Sequence, residues 1–343
     1  MAASKLRGWR QALVFGVVGC LALGAVVVVG GAAVLWWAVR AADQRGAPEL
    51  VATSRTVPLT PVASIVAGGA APAGQRLVIE LQDGLFDIVA GEPGGDVRID
   101  GELASNYYEL VEEREGTGGD GPVTAIRLRP TTSSLIRGLT MFRQGGARAE
   151  MNRLTVAIPP DRPLALVLNV SLGRSRIDLG GLTLTDLYAE MSMGTHALGF
   201  GVPLGAPLPR LEIRSRMGDV ELARLGNARA SSVEVSSRMG EFIVDLDGVW
   251  TGAAVSDVAM EHSMGDLRVQ VPTSVRLADD SRASARFAEP FQIPHDGETA
   301  DPDAPVVRLD IATSMGGTRV GRVTELADGE IDARATAIPA PAR

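Results

Sequence analysis

Three things that most chains of 343 residues use freely are scarce here: there is one cysteine (Cys20), one lysine (Lys5), and only 4% aromatic residues. A single cysteine excludes an internal disulfide and a thiolate metal cluster, so strand pairing and packing must supply the stability. With Lys5 as the only lysine there is no Gly-Lys-Ser/Thr phosphate loop. Few aromatics leave the core to Val, Leu, Ile and Met, which suits a thin, repetitive interior. The three histidines, His196, His262 and His295, lack metal-ligand spacing, and no His-Glu-x-x-His occurs. His196 and His262 flank glycine turns and read as solvated turn residues. No Gly-x-Ser-x-Gly elbow is present either. No cofactor and no metal is expected.

Basic charge is short as well. The formal net charge is −8, and the first 45 residues hold one acidic side chain (Asp43) against five basic ones. The remaining 298 residues therefore carry 40 acidic against 28 basic groups, a formal −12. Such a balance offers no field to neutralise phosphates, which argues against nucleic acid as a partner.

One long stretch has no charge at all. Residues 11–39 run from Gln11 to Val39 and include Val26–Val29, Trp36 and Trp37. As a helix they would reach about 43 Å at about 1.5 Å per residue, enough to cross the hydrocarbon layer. Lys5, Arg7 and Arg10 precede the stretch, and the two tryptophans mark an interfacial belt at its far end. This predicts a single-pass transmembrane helix with residues 1–10 in the cytoplasm and everything after Arg40 outside the cell membrane. A cleaved signal peptide and a lipoprotein box at Val17-Val18-Gly19-Cys20 are the alternatives. The first is disfavoured by the length of the apolar run, the second by the nineteen further apolar residues after Cys20.

What is abundant is glycine in a repeated phrase. It occurs as Ser171-Leu172-Gly173, Ser192-Met193-Gly194, Arg216-Met217-Gly218, Arg238-Met239-Gly240, Ser263-Met264-Gly265 and Ser314-Met315-Gly316. The steps between glycines are 21, 24, 22, 25 and 51 residues, the last leaving room for a degenerate copy or a long loop. A period in the low twenties marks a stacked repeat architecture. Four residues after each glycine stands an aliphatic residue: Ile177, Leu198, Leu222, Val244, Val269 and Val320. Five and seven residues before it, apolar residues recur, as in Ile213 with Leu211 and Val235 with Val233. Both arms thus alternate with period two and are half-buried strands. The phase shifts at the glycine, so the chain turns sharply there, where positive φ suits glycine.

Two all-β architectures satisfy the pattern. In a β-solenoid each copy is one coil, and the Leu and Met residues before the glycines form an internal column of adaptable side chains. In an antiparallel meander each glycine pair is a hairpin turn. Regular copy length favours the solenoid. It occupies residues 75–325, after a linker at 40–74 rich in Ala, Pro, Gly, Ser and Thr and before a disordered tail at 326–343. Residues 131–150 read as an excursion, and 279–304 as a polar loop.

The anchor followed by phrases such as Gly94-Gly-Asp-Val-Arg-Ile-Asp-Gly101, Ser215-Arg-Met-Gly-Asp-Val-Glu-Leu222 and Ser263-Met-Gly-Asp-Leu-Arg-Val269 resembles the bacterial putative adhesin domains of unknown function. These are related to the C-terminal domains of cell-wall-active antibiotic response proteins. The resemblance covers about 75–325. It implies a right-handed single-stranded β-helix on the bacterial envelope without known catalytic residues.

The candidate binding residues are the acids after the turn glycines, Asp219, Glu241 and Asp266, with Arg216 and Arg238 close by. Stacked in register, the carboxylates would line one edge, suited to Ca²⁺, sugar hydroxyls or cationic polymers. Acids balanced by arginines on exposed turns explain the same residues without a ligand. The expected function is a non-catalytic interaction or scaffold module that binds an envelope protein or cell-wall polysaccharide. The alternatives are an envelope-stress sensor and a polysaccharide-processing β-helix enzyme, the latter weakened by the lack of an aromatic platform. Homo-oligomerisation is expected through exposed end coils.

Overall fold

The computed structural model describes residues 33–34, 36–41, 44, 48–59, 75–118, 121–133, 152–250, 255–287, 291–294 and 303–323. The chain divides into two compact units, one of residues 1–49 with 130–149, the other of residues 50–129 with 150–343. Of the predicted membrane span, only 33–34 and 36–39 are described, and these are helical; the rest, with residues 1–10 and the tail 326–343, lies outside the described residues. Among the described residues no helix is long and apolar enough to cross a membrane.

The second unit is all-β. Its first six strands are β1 (Leu50–Val57), β2 (Gln75–Ala90), β3 (Val97–Ala104), β4 (Tyr108–Gly118), β5 (Gly121–Pro130) and β6 (Asn152–Ile158). Two long strands follow, β7 (Leu164–Asp178) and β8 (Leu184–Gly199), each running through its glycine. Later copies break at the glycine into pairs. These are β9 (Arg210–Ser215) with β10 (Gly218–Ala223), β11 (Ser232–Met239) with β12 (Phe242–Asp245), and β13 (Ser256–Met264) with β14 (Leu267–Pro272). Two short strands, β15 (Arg276–Leu277) and β16 (Arg282–Ala285), precede the last pair, β17 (Val306–Met315) and β18 (Thr318–Val323).

Successive copies pair in parallel, which excludes the hairpin meander. β2 pairs with β7 and β7 with β8, placing Gly84 opposite Gly173 and Gly173 opposite Gly194. From β8 onward two ladders separate. Before the glycines run β8–β9–β11–β13–β17, and after them β8–β10–β12–β14–β18. The sheet is nevertheless mixed, because β3 lies antiparallel to both β1 and β6. β1 falls inside 40–74, which reads as a linker; its register is set by β3, from Leu50 opposite Ala104 to Val57 opposite Val97. The polar segment 279–304 likewise contains β16, which pairs in parallel with β17.

The glycines stack because nothing larger fits. A Cβ on Gly218 would lie 2.2 Å from the carbonyl oxygen of Gly194, and one on Gly316 would lie 1.8 Å from that of Gly265. Both also hold positive φ, +125° and +113°, which strains any side-chain-bearing residue.

Residues equivalent by position form buried columns. Leu77, Leu166, Leu187, Leu211, Val233, Val258 and Leu309 stand seven before their glycines, and all are buried. Four after the glycines, Ile88 through Val269 are buried too, Val320 only partly. Complete burial of each such side chain is worth about 1.5–3 kcal/mol. The alternation that the sequence displays is therefore the alternation that packs the interior.

One expected column is inverted. The residues just before the glycines point outward: Leu172, Met193, Met217, Met239, Met264 and Met315 are 37–48% exposed. The interior is instead filled three before the glycine by Leu81, Val170, Met191, Ser215, Ser237, His262 and Thr313. Strict alternation continues to that position, and the corner then swings the next odd residue out. Leu172 and Met193 do so with φ of +54° and +53°.

Candidate functional site

The corner presents three parallel rows of exposed side chains. Chain order around each corner fixes their sequence: first the residue two before the glycine, then the exposed Leu or Met, then the residue after the glycine. The second row is a ridge of six large apolar side chains, one per copy. Met239 stands opposite Met264, and Met264 opposite Met315.

Asp219, Glu241 and Asp266 occupy the third row on consecutive copies, as the repeat implied. Two of their carboxylates serve the backbone where the ladder bends. Asp219 Oδ1 accepts the Glu241 amide at 3.1 Å, and Asp266 Oδ1 accepts the Gly317 amide at 3.1 Å. Glu241 Oε1 lies 3.4 Å from the Arg268 guanidinium. Arg216 and Arg238 occupy the first row, so the ridge separates them from the acids. Arg216 turns away to Glu190, at 2.6 Å. Among the described residues the Arg238 side chain makes no hydrogen bond or ion pair.

Beyond the first row, the outer face of the strands before the glycines forms a polar trough. It comprises two hollows of about 370 and 590 Å³ that share Glu190 and Arg216. One end is lined by Glu80, Gln82, Arg127 and Asn169, the other by Arg214, Glu234, Glu261 and Ser263. Outward positions four and six before each glycine supply most of these groups, because period-two alternation sends them to solvent. Their charges are matched both within a strand and across neighbouring strands. Arg127 reaches Glu80 at 3.0 Å, Arg214 reaches Glu212 at 2.6 Å, and Arg210 reaches Glu234 at 2.8 Å. Hydrogen bonding to Glu212, reinforced by its charge, raises Arg214 above its ordinary pKa. The Arg214 guanidinium also lies over the Tyr188 ring, 5.6 Å from its centre. Burial, then the Glu190 carboxylate that its hydroxyl reaches at 3.0 Å, raises the Tyr188 phenol. The Glu261 side chain makes no hydrogen bond or ion pair among the described residues.

The interior of the corner is polar in a way the sequence reading missed. His196 and His262 are buried, at 1% and 3% exposure, rather than solvated. His196 Nδ1 lies 2.9 Å from Ser175 Oγ, and the ring also faces the Ser192 backbone. Among the described residues the Oγ atoms of Ser215 and Ser237 and Thr313 Oγ1 are buried without a hydrogen bond, while the His262 ring faces the Gly265 backbone. Desolvation holds His196 neutral, lowering its pKa to about 4, and lowers His262 as well. The Ser175–His196 pair has the reach of a nucleophile and base, but both side chains face the interior and are buried from solvent. Among the described residues no cluster of three or more His, Cys, Asp or Glu side chains could hold a metal ion.

Sequence reasoning thus found the acid row and both arginines but not Glu190, Glu212, Arg214, Glu234 or Glu261. The signal was present: polar and charged residues recur at the outward positions of five consecutive copies.

No family model and no curated protein matches this chain. Among solved structures, it is similar to a putative cell adhesion protein from Clostridium sporogenes, at 12% identity and a TM-score of 0.36, over 80% of this chain and 100% of that one. It is also similar to a putative adhesin from Bacteroides fragilis, at 10% identity and a TM-score of 0.35, over 80% and 97% of the two chains. A putative lipid binding protein from Parabacteroides distasonis matches at 10% identity and a TM-score of 0.25, again over 80% and 97%.

Proposed function

We propose that this chain is a non-catalytic, adhesin-like interaction module of the bacterial cell envelope. In this reading residues 75–325 wind as a right-handed β-solenoid outside the cell. Residues 11–39 tether it to the cell membrane, with the N-terminus in the cytoplasm. The trough is the binding surface, and its ligand is an extended, hydroxyl-rich cell-wall polysaccharide.

The observation that carries this reading is the trough itself. It crosses the strands β2, β7, β8, β9, β11 and β13, so it spans roughly 24 Å at about 4.8 Å per strand. Its lining of guanidinium, carboxylate, amide and hydroxyl groups offers both donors and acceptors along that length, which suits a polymer of repeated hydroxyls. The shallow, open form favours a long ligand over a small molecule, which needs a concave pocket that buries most of its surface.

Co-sedimentation of the purified full chain with insoluble cell-wall polysaccharide tests this. Wild type pellets with the polymer, and the Arg214→Ala/Glu261→Gln double variant binds at least about tenfold more weakly with an unchanged melting temperature. Equal binding by that variant, or release of shortened saccharides by wild type, overturns the reading. An alkaline phosphatase fusion after residue 343 checks the orientation, since it is active only outside the cytoplasm.

A further inference from the structure

We infer that the apolar corner ridge is a self-association surface, and that a second copy of this chain docks on it about a two-fold axis parallel to the direction of strand stacking. This goes beyond the polysaccharide reading and uses different residues, apart from the shared rim at Ser171, Ser192, Arg216, Arg238 and Ser263.

The ridge calls for an occupant. Six large apolar side chains, Leu172, Met193, Met217, Met239, Met264 and Met315, stand exposed in a line of roughly 24 Å at about 4.8 Å per strand. Scattered exposed apolar residues are ordinary, whereas a contiguous row marks an interaction surface. Two of the six hold left-handed backbone, Leu172 and Met193, a conformation that disfavours bulky side chains. Folding gains little from an exposed methionine at such a position, so its place points to what lies outside the chain.

The flanks select the occupant. One flank reads Ser171, Ser192, Arg216, Arg238, Ser263 and Ser314 along the stack; the other reads Arg174, Thr195, Asp219, Glu241, Asp266 and Gly317. A two-fold axis parallel to the stack sets two ridges face to face and opposes each first-flank residue to the second-flank residue of the same level. Arg216 then meets Asp219, Arg238 meets Glu241, and Ser263 meets Asp266 of the second copy. No like charges are opposed at any level. A two-fold axis across the ridge would instead bring the acid rows together and the arginines together, which is repulsive. The preferred operator closes after two copies and buries the same patch on each. It also gives Arg238 the carboxylate partner that its side chain lacks among the described residues. The end-coil association expected from the sequence would use a different surface.

Sedimentation velocity of the purified full chain, in a mild detergent that shields residues 11–39, tests the proposal. Wild type sediments as a dimer at micromolar concentration, and its dissociation constant rises with salt. Met217→Glu/Met239→Glu weakens the dimer at least about a hundredfold. Arg238→Glu and Glu241→Arg, each at an exposed or half-exposed position that leaves the core intact, weaken it about tenfold. The chain carrying both charge reversals recovers the wild-type constant. Far-UV circular dichroism checks that every variant is folded. A monomeric wild type, a dimer undiminished in the methionine variant, or failure of the double reversal to restore association overturns the proposal.

Discussion

Residues 50–158 and residues 164–271 build the same sheet by different means. In the later region one rule serves every copy: an apolar strand, a glycine stacked on the previous glycine, a second apolar strand. In the earlier region the first corner, at Asp83-Gly84, is held by side chains from elsewhere in the chain. The Tyr108 hydroxyl donates to the Asp83 carboxylate. The Asn152 amide donates to the Asp83 carbonyl at 2.9 Å, and its Oδ1 accepts the Ala104 amide at 3.2 Å. β3 and β1 add antiparallel pairings that no later copy repeats. A repeat can rely on its neighbours, whereas its first member must find other partners.

That contrast predicts where damage is greatest. Gly218→Ala forces a methyl into the Gly194 carbonyl at strained φ and costs at least about 3 kcal/mol in urea unfolding. Gly94→Ala in the early region meets nothing within 4 Å, so only its φ of +74° matters and the cost is about 1 kcal/mol. Equal costs would break the distinction between a packed and an open glycine.

Acid tests the interior of the repeat. Burial lowers the folded-state pKa of His196 to about 4, below the ordinary histidine value of 6.5. Between these values the unfolded chain binds the proton and the folded chain does not, so stability falls as pH drops. The loss begins near pH 6.5, is complete near pH 4, and amounts to roughly 3 kcal/mol. Urea unfolding from pH 7 to pH 4 shows it, and the difference between wild type and His196→Val isolates it from the carboxylates. Identical pH profiles for the two proteins would refute the assignment.

The smallest pair sharpens the contrast in polar groups. Asn152→Ala strands the Ala104 amide and the Asp83 carbonyl inside the early region and costs about 2 kcal/mol. Ser237→Ala removes a buried hydroxyl with no partner among the described residues and leaves stability unchanged or higher by up to about 1 kcal/mol. Differential scanning calorimetry on both variants decides it: a larger loss for Ser237→Ala would mean that its hydroxyl is satisfied.

How far the sequence could be read follows from the same chemistry. The columns seven and five before the glycine and four after it were legible because they are uniformly apolar. The column three before it was hidden, since Ser215, Ser237, His262 and Thr313 stand where burial usually selects hydrocarbon. Methionine in the next odd position looked like its replacement, although the bend carries that side chain outward. Gly84 escaped notice because Asp83 precedes it instead of methionine, yet Leu77, Ile79, Phe86 and Ile88 surround it at the repeat's spacing. β1 shows no clean alternation, with only Val57 of its eight residues buried, so hydropathy could not reveal it. The acid row of the candidate site followed from spacing alone. The trough did not, because its residues come from outward positions whose chemistry the packing leaves free.

The glycine stack also restricts how such a protein can change its length. Each carbonyl occupies the volume that a side chain on the next rung would need, so no residue can be slipped in beside a rung without breaking two contacts. Growth or loss must come as complete copies or as loops inserted far from the corner, as in the 51-residue step between Gly265 and Gly316. Lineages that share this plan should differ by whole multiples at the corner and by arbitrary lengths elsewhere.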